Sequence, residues 1–355
     1  MHKIWFNVLL AAVLVVGLVL VGCAKPAPSP APAPAPTPAP TPAKWPDVIS
    51  IGTSPTGGTY YVVGVGWADM VSKYVNTTVR AESTGGAEAN IRLMESGETE
   101  LGIVNDMDAY IAPRGLDYYA PKKMPVRLLF KSHKFEMWVA TRADSGIKTI
   151  EDLRGKKYMC DWKGAPVQIS WNKPMLECAG ILDEVTILPA SGWKEIKAGI
   201  AEGTADAVAY IGSHPAPHPT EQAETIGVRM ISLSDEMLEC INKKIPWAAP
   251  NKIPAGTYKG QTEDVGDVMV WTNMTITPDL PDDLVYELAK ATFEHLNELV
   301  PVHPVFKQLG LKGALTNPQM PYHAGAVKYY KEAGVWTSEI EATQNRLLKE
   351  IGATK

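Results

Sequence analysis

The stretch Ile49-Ser50-Ile51-Gly52-Thr53-Ser54-Pro55-Thr56-Gly57-Gly58-Thr59-Tyr60-Tyr61 decides how the rest of this chain is read. A β-branched run, Val48 to Ile51, stops at Gly52, which predicts a short strand. A polar turn follows, and then an amphipathic segment from Thr59 to Val75 that predicts a helix capped by Thr59. In this strand–turn–helix order, Gly57 and Gly58 let backbone approach a ligand closely. The free N–H groups of the first helical turn point at whatever sits above the strand, a setting that suits a carboxylate or another anion. No Gly-Lys-Ser/Thr follows, so the turn is not a nucleotide P-loop. An ordinary strand-to-helix connection uses glycine in the same way, so the flanking sequence has to decide.

Working outward, a second strand over Thr78–Glu82 ends in Ser83-Thr84-Gly85-Gly86, and a helix over Ala87–Glu95 stops at Gly97. A strand over Leu101–Val104 then ends at Asn105-Asp106. The βαβαβ order implies a parallel sheet, whose ligands bind at the carboxyl ends of the strands. Three such ends converge: Thr53–Thr59, Ser83–Gly86 and Asn105–Asp106. Further on, Ser145–Lys157 reads as a short capped helix leading into a new strand. The stretch Met94–Leu101 is echoed by Ile200–Ala207, each with a helix ending at glycine and an acidic residue three positions later that opens a buried strand. Two lobes of like construction suggest a hinged cleft; helix–glycine–strand junctions are common, and a chance likeness is the alternative. A strand over Val228–Ser232 is expected to return toward the first lobe. A turn-rich loop, Ile253–Tyr258, precedes a strand at Val268–Trp271. A long helix is expected from Pro281 to about Val300, and a last one near Ser338 with Glu341 completing a capping box. The expected divisions are 1–22 signal peptide, 23–46 lipidated cysteine and linker, 47–138 first lobe, 139–232 second lobe, and 233–355 first lobe again with the C-terminal helices.

The ends and the composition set the cellular context. An apolar run from Ile4 to Val21 closes with Leu20-Val21-Gly22-Cys23, a lipoprotein signal that makes Cys23 the lipidated first residue. From Lys25 to Pro46, proline holds every even position between 26 and 42, which favours extended polyproline II and a tether of roughly 70 Å. The remainder carries 31 of the 34 basic residues and all 39 acidic ones, a net charge of −8. It has no basic stripe, which argues against nucleic acid. Cys160, Cys178 and Cys240 leave room for one disulfide and a thiol, or for none. A bridge, if formed, joins Cys178 to Cys240, because Cys160 falls in a predicted buried strand. Their spacing gives no metal site, and no cofactor is expected.

Four stretches together resemble the TAXI family of TRAP-transporter solute receptors. They are Ile51-Gly52-Thr53 with Gly57-Gly58-Thr59-Tyr60-Tyr61; Gly85-Gly86 with Asn90 to Gly97; Ile253 to Gln261; and Pro321-Tyr322-His323-Ala324-Gly325-Ala326 with Tyr329 to Gly334. The resemblance implies an α/β, type II periplasmic-binding fold of two lobes around a hinged ligand cleft. It also implies an extracytoplasmic receptor that binds an organic acid or amino acid and delivers it to TRAP membrane permease subunits. Carried over by motif, the first-lobe contacts are Thr53, Thr56, Gly57, Gly58, Thr59, Tyr60, Ser83, Gly85, Gly86 and Asn90. The family's Gly-Ser-Gly turn is replaced by Asp161-Trp162-Lys163-Gly164, so Lys163, with Gly164, stands ready to meet a carboxylate; an ordinary solvated loop would use the same lysine. Gly212 and Ser213, at the end of the strand over Val208–Ile211, are expected to touch ligand. Trp162, Trp171 and Trp193 serve either the cleft wall or the core. His214 and His218 lie among prolines that forbid a regular helix, which removes the meaning of their i, i+4 spacing for metal. Asp106 with Asp108 reads as a strand-end polar cluster, and no nucleophile–base pattern points to an enzyme. A stand-alone sensor lipoprotein with the same fold is the alternative role.

Overall fold

The computed structural model describes residues 45–56, 58–162 and 165–354. The signal peptide, Cys23, nearly all of the proline tether, Gly57, Lys163 and Gly164 lie outside the described residues. The first half runs β1 (Val48–Gly52), α1 (Thr59–Val71), β2 (Thr78–Glu82), α2 (Ala87–Ser96), β3 (Leu101–Asn105) and α3 (Asp106–Ile111). The long strand β4 (Arg127–Arg142) leads to β5 (Lys157–Trp162), α4 (Val167–Cys178), β6 (Thr186–Ala190), α5 (Trp193–Ala201), β7 (Ala207–Gly212), α6 (Pro217–Thr225) and β8 (Val228–Ile231). Then come α7 (Asp235–Lys244), β9 (Ala249–Ile253), β10 (Val265–Ile276), α8 (Asp282–Glu294), α9 (Leu296–Leu299), α10 (Ala324–Glu332) and α11 (Ser338–Ile351).

One curled sheet runs β2-β1-β3-β10-β4-β7-β5-β6, with β8 on β4 and β9 on β10. β1 is parallel to β2 and β3, and β5 is parallel to β6 and β7. The fourth strand of each half is antiparallel: β10 beside β3, and β4 beside β7. One plan is thus used twice, and β3 and β7, the strands behind the sequence echo, occupy equivalent places in it. The two antiparallel strands pair with each other from Arg127 opposite Ile276 to Met137 opposite Val268. They form the hinge between the halves, and register shifts around Thr272 and between Met274 and Thr275 bend them there.

Parallel strands covered on both faces read as continuous apolar runs, and all five residues of β3 are buried. Trp67 of α1 is fully buried, and its indole N–H donates to Thr292 Oγ1 of α8 at 2.9 Å. A second core in the other half gathers Trp138, Val208, Tyr210, Ile196 and Ile200.

Several expectations are corrected. Helix α1 ends at Val71, not Val75, because the chain tightens into short turns there and Ser72 Oγ takes the Val79 N–H at 2.8 Å, swinging the chain into β2. The short helix expected within 145–157 is only a 3-10 turn, Glu151–Leu153, and the strand expected after it is β5, from Lys157. β8 does not return to the first half; it pairs with Val139–Arg142, the far end of β4. Beyond residue 232, α7 is bonded to α4 by the Cys178–Cys240 disulfide, and β9 pairs with the start of β10. The chain therefore crosses back within β10 rather than at 232. The helix expected to reach Val300 breaks at His295. The last helix is capped by Thr337, whose hydroxyl accepts from Ile340 N–H. Glu341 instead accepts from Trp336 Nε1 at 2.5 Å and pairs with Lys331 at 2.8 Å.

Candidate ligand-binding site

In the first half, β1 and β2 end side by side, and their loops are joined by Ser54. The Ser54 carbonyl accepts from Ser83 Oγ at 3.2 Å and Thr84 N–H at 3.4 Å, while its hydroxyl accepts from Tyr61 N–H at 3.2 Å. Sequence reasoning did not single out this residue; its position one step past Thr53 was the only signal. The N-cap of helix α1 is Gly58 rather than Thr59, so the N-cap residue offers no side chain, and the Ser54 hydroxyl is what meets the first turn. Gly58 has an ordinary φ of −75°, so its glycine serves space rather than backbone conformation. A Cβ there would fall 2.5 Å from Ser54 Oγ and 3.1 Å from the Pro55 carbonyl. Gly86, which caps α2, is the opposite case: φ 108°, ψ −158° is open only to glycine. Thr56 and Gly85 are exposed at the rim.

Two expected contacts face inward. Thr53 is fully buried, and its hydroxyl donates to the Glu82 carbonyl at 2.7 Å. Asn90 is fully buried too: Nδ2 donates to the Thr53 and Ile103 carbonyls, both at 2.8 Å, and Oδ1 accepts from Thr84 Oγ1 at 2.6 Å. Both amide hydrogens are used within the protein. These side chains hold the ends of β1, β2 and β3 in register and shape the site from below.

In the second half, Trp162 ends β5 and Trp193 opens α5, and their rings meet edge to face with centroids 5.1 Å apart. Both are partly buried. Trp171 is core, fully buried, with its N–H donated to Gln168 Oε1 at 2.9 Å. Gly212 pairs with Glu136 of β4, and Ser213 Oγ donates to the Lys134 carbonyl at 2.8 Å.

The hinge between these ends is built from buried polar groups. Lys131 of β4 reaches the Asp106 carboxylate at 2.8 and 3.0 Å, and both side chains are buried. Asp106 also accepts from Trp271 N–H at 2.9 Å and Asn273 Nδ2 at 3.0 Å. One carboxylate at the end of β3 thus ties β4 to β10. Burial pulls the Lys131 ammonium below its usual range, and Asp106 opposes the shift. Asp108 accepts from Tyr118 OH at 2.6 Å, Tyr119 OH at 2.8 Å and Asn105 Nδ2 at 2.8 Å. Burial still pushes its carboxyl up to about 6, against the pull of those donors. Asp106 and Asp108 are thus separately engaged, as a polar cluster and not a catalytic pair. His133, fully buried on the hinge, is pushed down to about 3 by burial and is neutral, with Nδ1 between Ser132 Oγ and Thr272 Oγ1 at 3.0 Å each. Tyr60, whose ring lies 5.7 Å from that of Phe135, packs the first turn of α1 onto the hinge.

A depression of about 350 Å³, lined by Met94, Gly97, Glu100, Pro125 and Thr277, lies at the amino ends of the first-half strands. Those are the wrong ends for a ligand of such a sheet. Among the described residues, no group of three or more His, Cys, Asp or Glu is placed to hold a metal ion.

Two α/β halves joined by paired antiparallel strands, with the parallel strand ends flanking the hinge, define the two-lobed solute-binding receptor fold. A TctC solute binding protein from Polaromonas, solved without ligand, shares it with a TM-score of 0.51 at 14% identity, covering 88% of this chain and 97% of that one. MatC from Rhodopseudomonas palustris with bound malate gives 0.49 at 13% identity, covering 86% and 98%. The periplasmic aliphatic sulphonate binding protein SsuA from Escherichia coli gives 0.44 at 13%, covering 86% and 92%. The fold reading rests on the first of these. A model of the NMT1-like family matches residues 51–334, and the chain belongs to that family.

Proposed function

We propose that this chain is an extracytoplasmic receptor that captures a small carboxylate-bearing solute, an organic acid or amino acid, between its halves. It then delivers that solute to the membrane permease subunits of a TRAP-type secondary transporter. The observation that carries the reading is the pair of helix N-termini, α1 at Gly58 and α2 at Gly86, whose N-cap residues carry no side chain to fill them, although Ser54 Oγ already takes the Tyr61 N–H of α1. They stand at the carboxyl ends of neighbouring parallel strands, where N–H groups and helix dipoles favour an anion. The Trp162–Trp193 pair at the corresponding ends of the second half supports a solute with an apolar or aromatic body. Thr56, Gly57, Gly58, Thr59, Tyr60, Ser83, Gly85 and Gly86 would hold the carboxylate end, and Trp162, Lys163, Gly164, Gly212 and Ser213 would close on the other. The role is binding and hinge closure, not catalysis. Cys23 would carry the lipid that holds the chain at the membrane.

The test is calorimetric titration with the small molecule released from the natively purified protein. Gly58→Val should lose at least tenfold in affinity. Gly313→Val, where an added Cβ meets nothing closer than 3.8 Å, should bind as wild type. Equal affinity in both variants sinks the site assignment. Permease delivery has its own test: substrate uptake in membranes containing TRAP subunits should require this protein.

A further inference from the structure

The loop between β7 and α6, residues 213–216, is tied to the hinge region at several points. Ser213 Oγ bonds the Lys134 carbonyl of β4. The Tyr258 hydroxyl, from the loop after β9, accepts from Ala216 N–H at 2.8 Å and meets His214 Nδ1 at 2.8 Å. Across the imidazole, Nε2 stands 3.5 Å from Asp267 Oδ2 of β10, with the two side chains 8% and 0% exposed. Asp267 Oδ1 accepts from Asn251 Nδ2 at 2.8 Å. The Trp138 ring packs against the His214 ring, with centroids 4.2 Å apart. Among the described residues, His214 Nε2, Asp267 Oδ2, Glu136 Oε2 and Trp138 Nε1 are all buried without a hydrogen-bond partner. Leaving such groups unpaired is costly, most of all when charged.

The charged and titratable groups around the imidazole are Asp267 from β10, Glu136 and Lys134 from β4, and Tyr258 from the β9–β10 loop. Lys134 Nζ lies 3.4 Å from Asn251 Oδ1, beside Asp267. With the imidazole neutral, two buried carboxylates face one ammonium; one more proton balances the group. We propose that His214 is a positioning residue, and that a proton held between its imidazole and Asp267 fixes the loop carrying Ser213 to the hinge. Loaded, the pair closes from the present 3.5 Å separation into a charge-assisted N–H···O bond. Unloaded, the neutral imidazole has one N–H for its two neighbours, the tie to Asp267 is weakened, and the loop is held by the Ser213–Lys134 and Ala216–Tyr258 bonds alone. Burial raises the carboxyls of both Glu136 and Asp267. A raised pKa in the folded state keeps the proton, and the stability that comes with it, at lower pH, and both are lost as pH rises through it. The consequence for binding rests on Gly212 and Ser213 contacting the solute. The test needs no solute, so the latch and that reading fail separately.

Full-length protein with ring-labelled histidine is followed by NMR from pH 5.5 to 8.5, together with exchange of the Ala216 amide corrected for its intrinsic rate. Ala216 protection should fall at least tenfold across this range, in step with loss of the proton from the His214–Asp267 pair. In Asp267→Asn, and in His214→Gln, protection should no longer depend on pH. Wild-type protection that is flat with pH, or that falls out of step with loss of that proton, overturns the proposal. The wild-type readout decides the matter even if a variant fails to fold.

Discussion

At Gly86 the backbone occupies φ 108°, so any side chain there is strained even though an added Cβ would meet nothing within 4 Å. Gly86→Ala should destabilise by about 1–3 kcal/mol in urea denaturation. Gly212→Ala, whose Cβ would make ordinary contact with Ala216 at 3.5 Å, should stay within about 0.5 kcal/mol of wild type. A glycine-rich turn was legible in the sequence, but which glycine was needed for conformation was not: Gly58 and Gly86 look alike as letters. Asp108 offers a pH test. Its carboxyl is pushed up to about 6 in the folded state, against about 3.9 unfolded. Stability from this group is therefore complete below about pH 4 and lost as pH rises through 6. Across that window wild type should lose about 3 kcal/mol relative to Asp108→Asn, read from urea midpoints at pH 4 and 7. Lys131→Met should cost about 3–5 kcal/mol by stranding the buried Asp106 carboxylate.

Among the elements, the strand–helix order of the first half could be read directly, because periodicity and glycine stops coincide there. Hinge strand β4 was seen only as two pieces, Arg127–Phe130 and Met137–Ala140. Between them Lys131, Ser132, His133, Lys134 and Glu136 break the apolar pattern, and four of these five are buried nonetheless. No local signal marks a polar residue that pairs across the sheet. For the same reason Asp267 and Tyr258, which seat His214, went unnoticed as a group. The α4–α7 contact carries the disulfide, whose cysteines are 62 residues apart. Replacing both by Ala should lower stability by about 2–4 kcal/mol. Thiol counting on mature protein should find Cys160 alone, buried and with its thiol pushed up by burial. It should react only after unfolding; rapid labelling of the native protein would contradict this placement.

For the whole molecule, the repeated plan of three parallel strands and an antiparallel fourth places two sets of strand ends on either side of one hinge. The sequence echo at Met94–Leu101 and Ile200–Ala207 announced the repeat, whereas the point of return within β10 depended on pairings far apart in the chain. We propose that this layout encloses a solute and that the solute carries a carboxylate. The direct measurement is native mass spectrometry of stripped protein after incubation with a defined mixture of small organic acids, amino acids, amines and sugars. Wild type is run beside Gly58→Val. The expected result is one carboxylate-bearing compound retained at one per wild-type chain and lost from the variant. Retention of an uncharged or amine-only compound, of nothing at all, or of the same acid equally on both proteins would contradict the account.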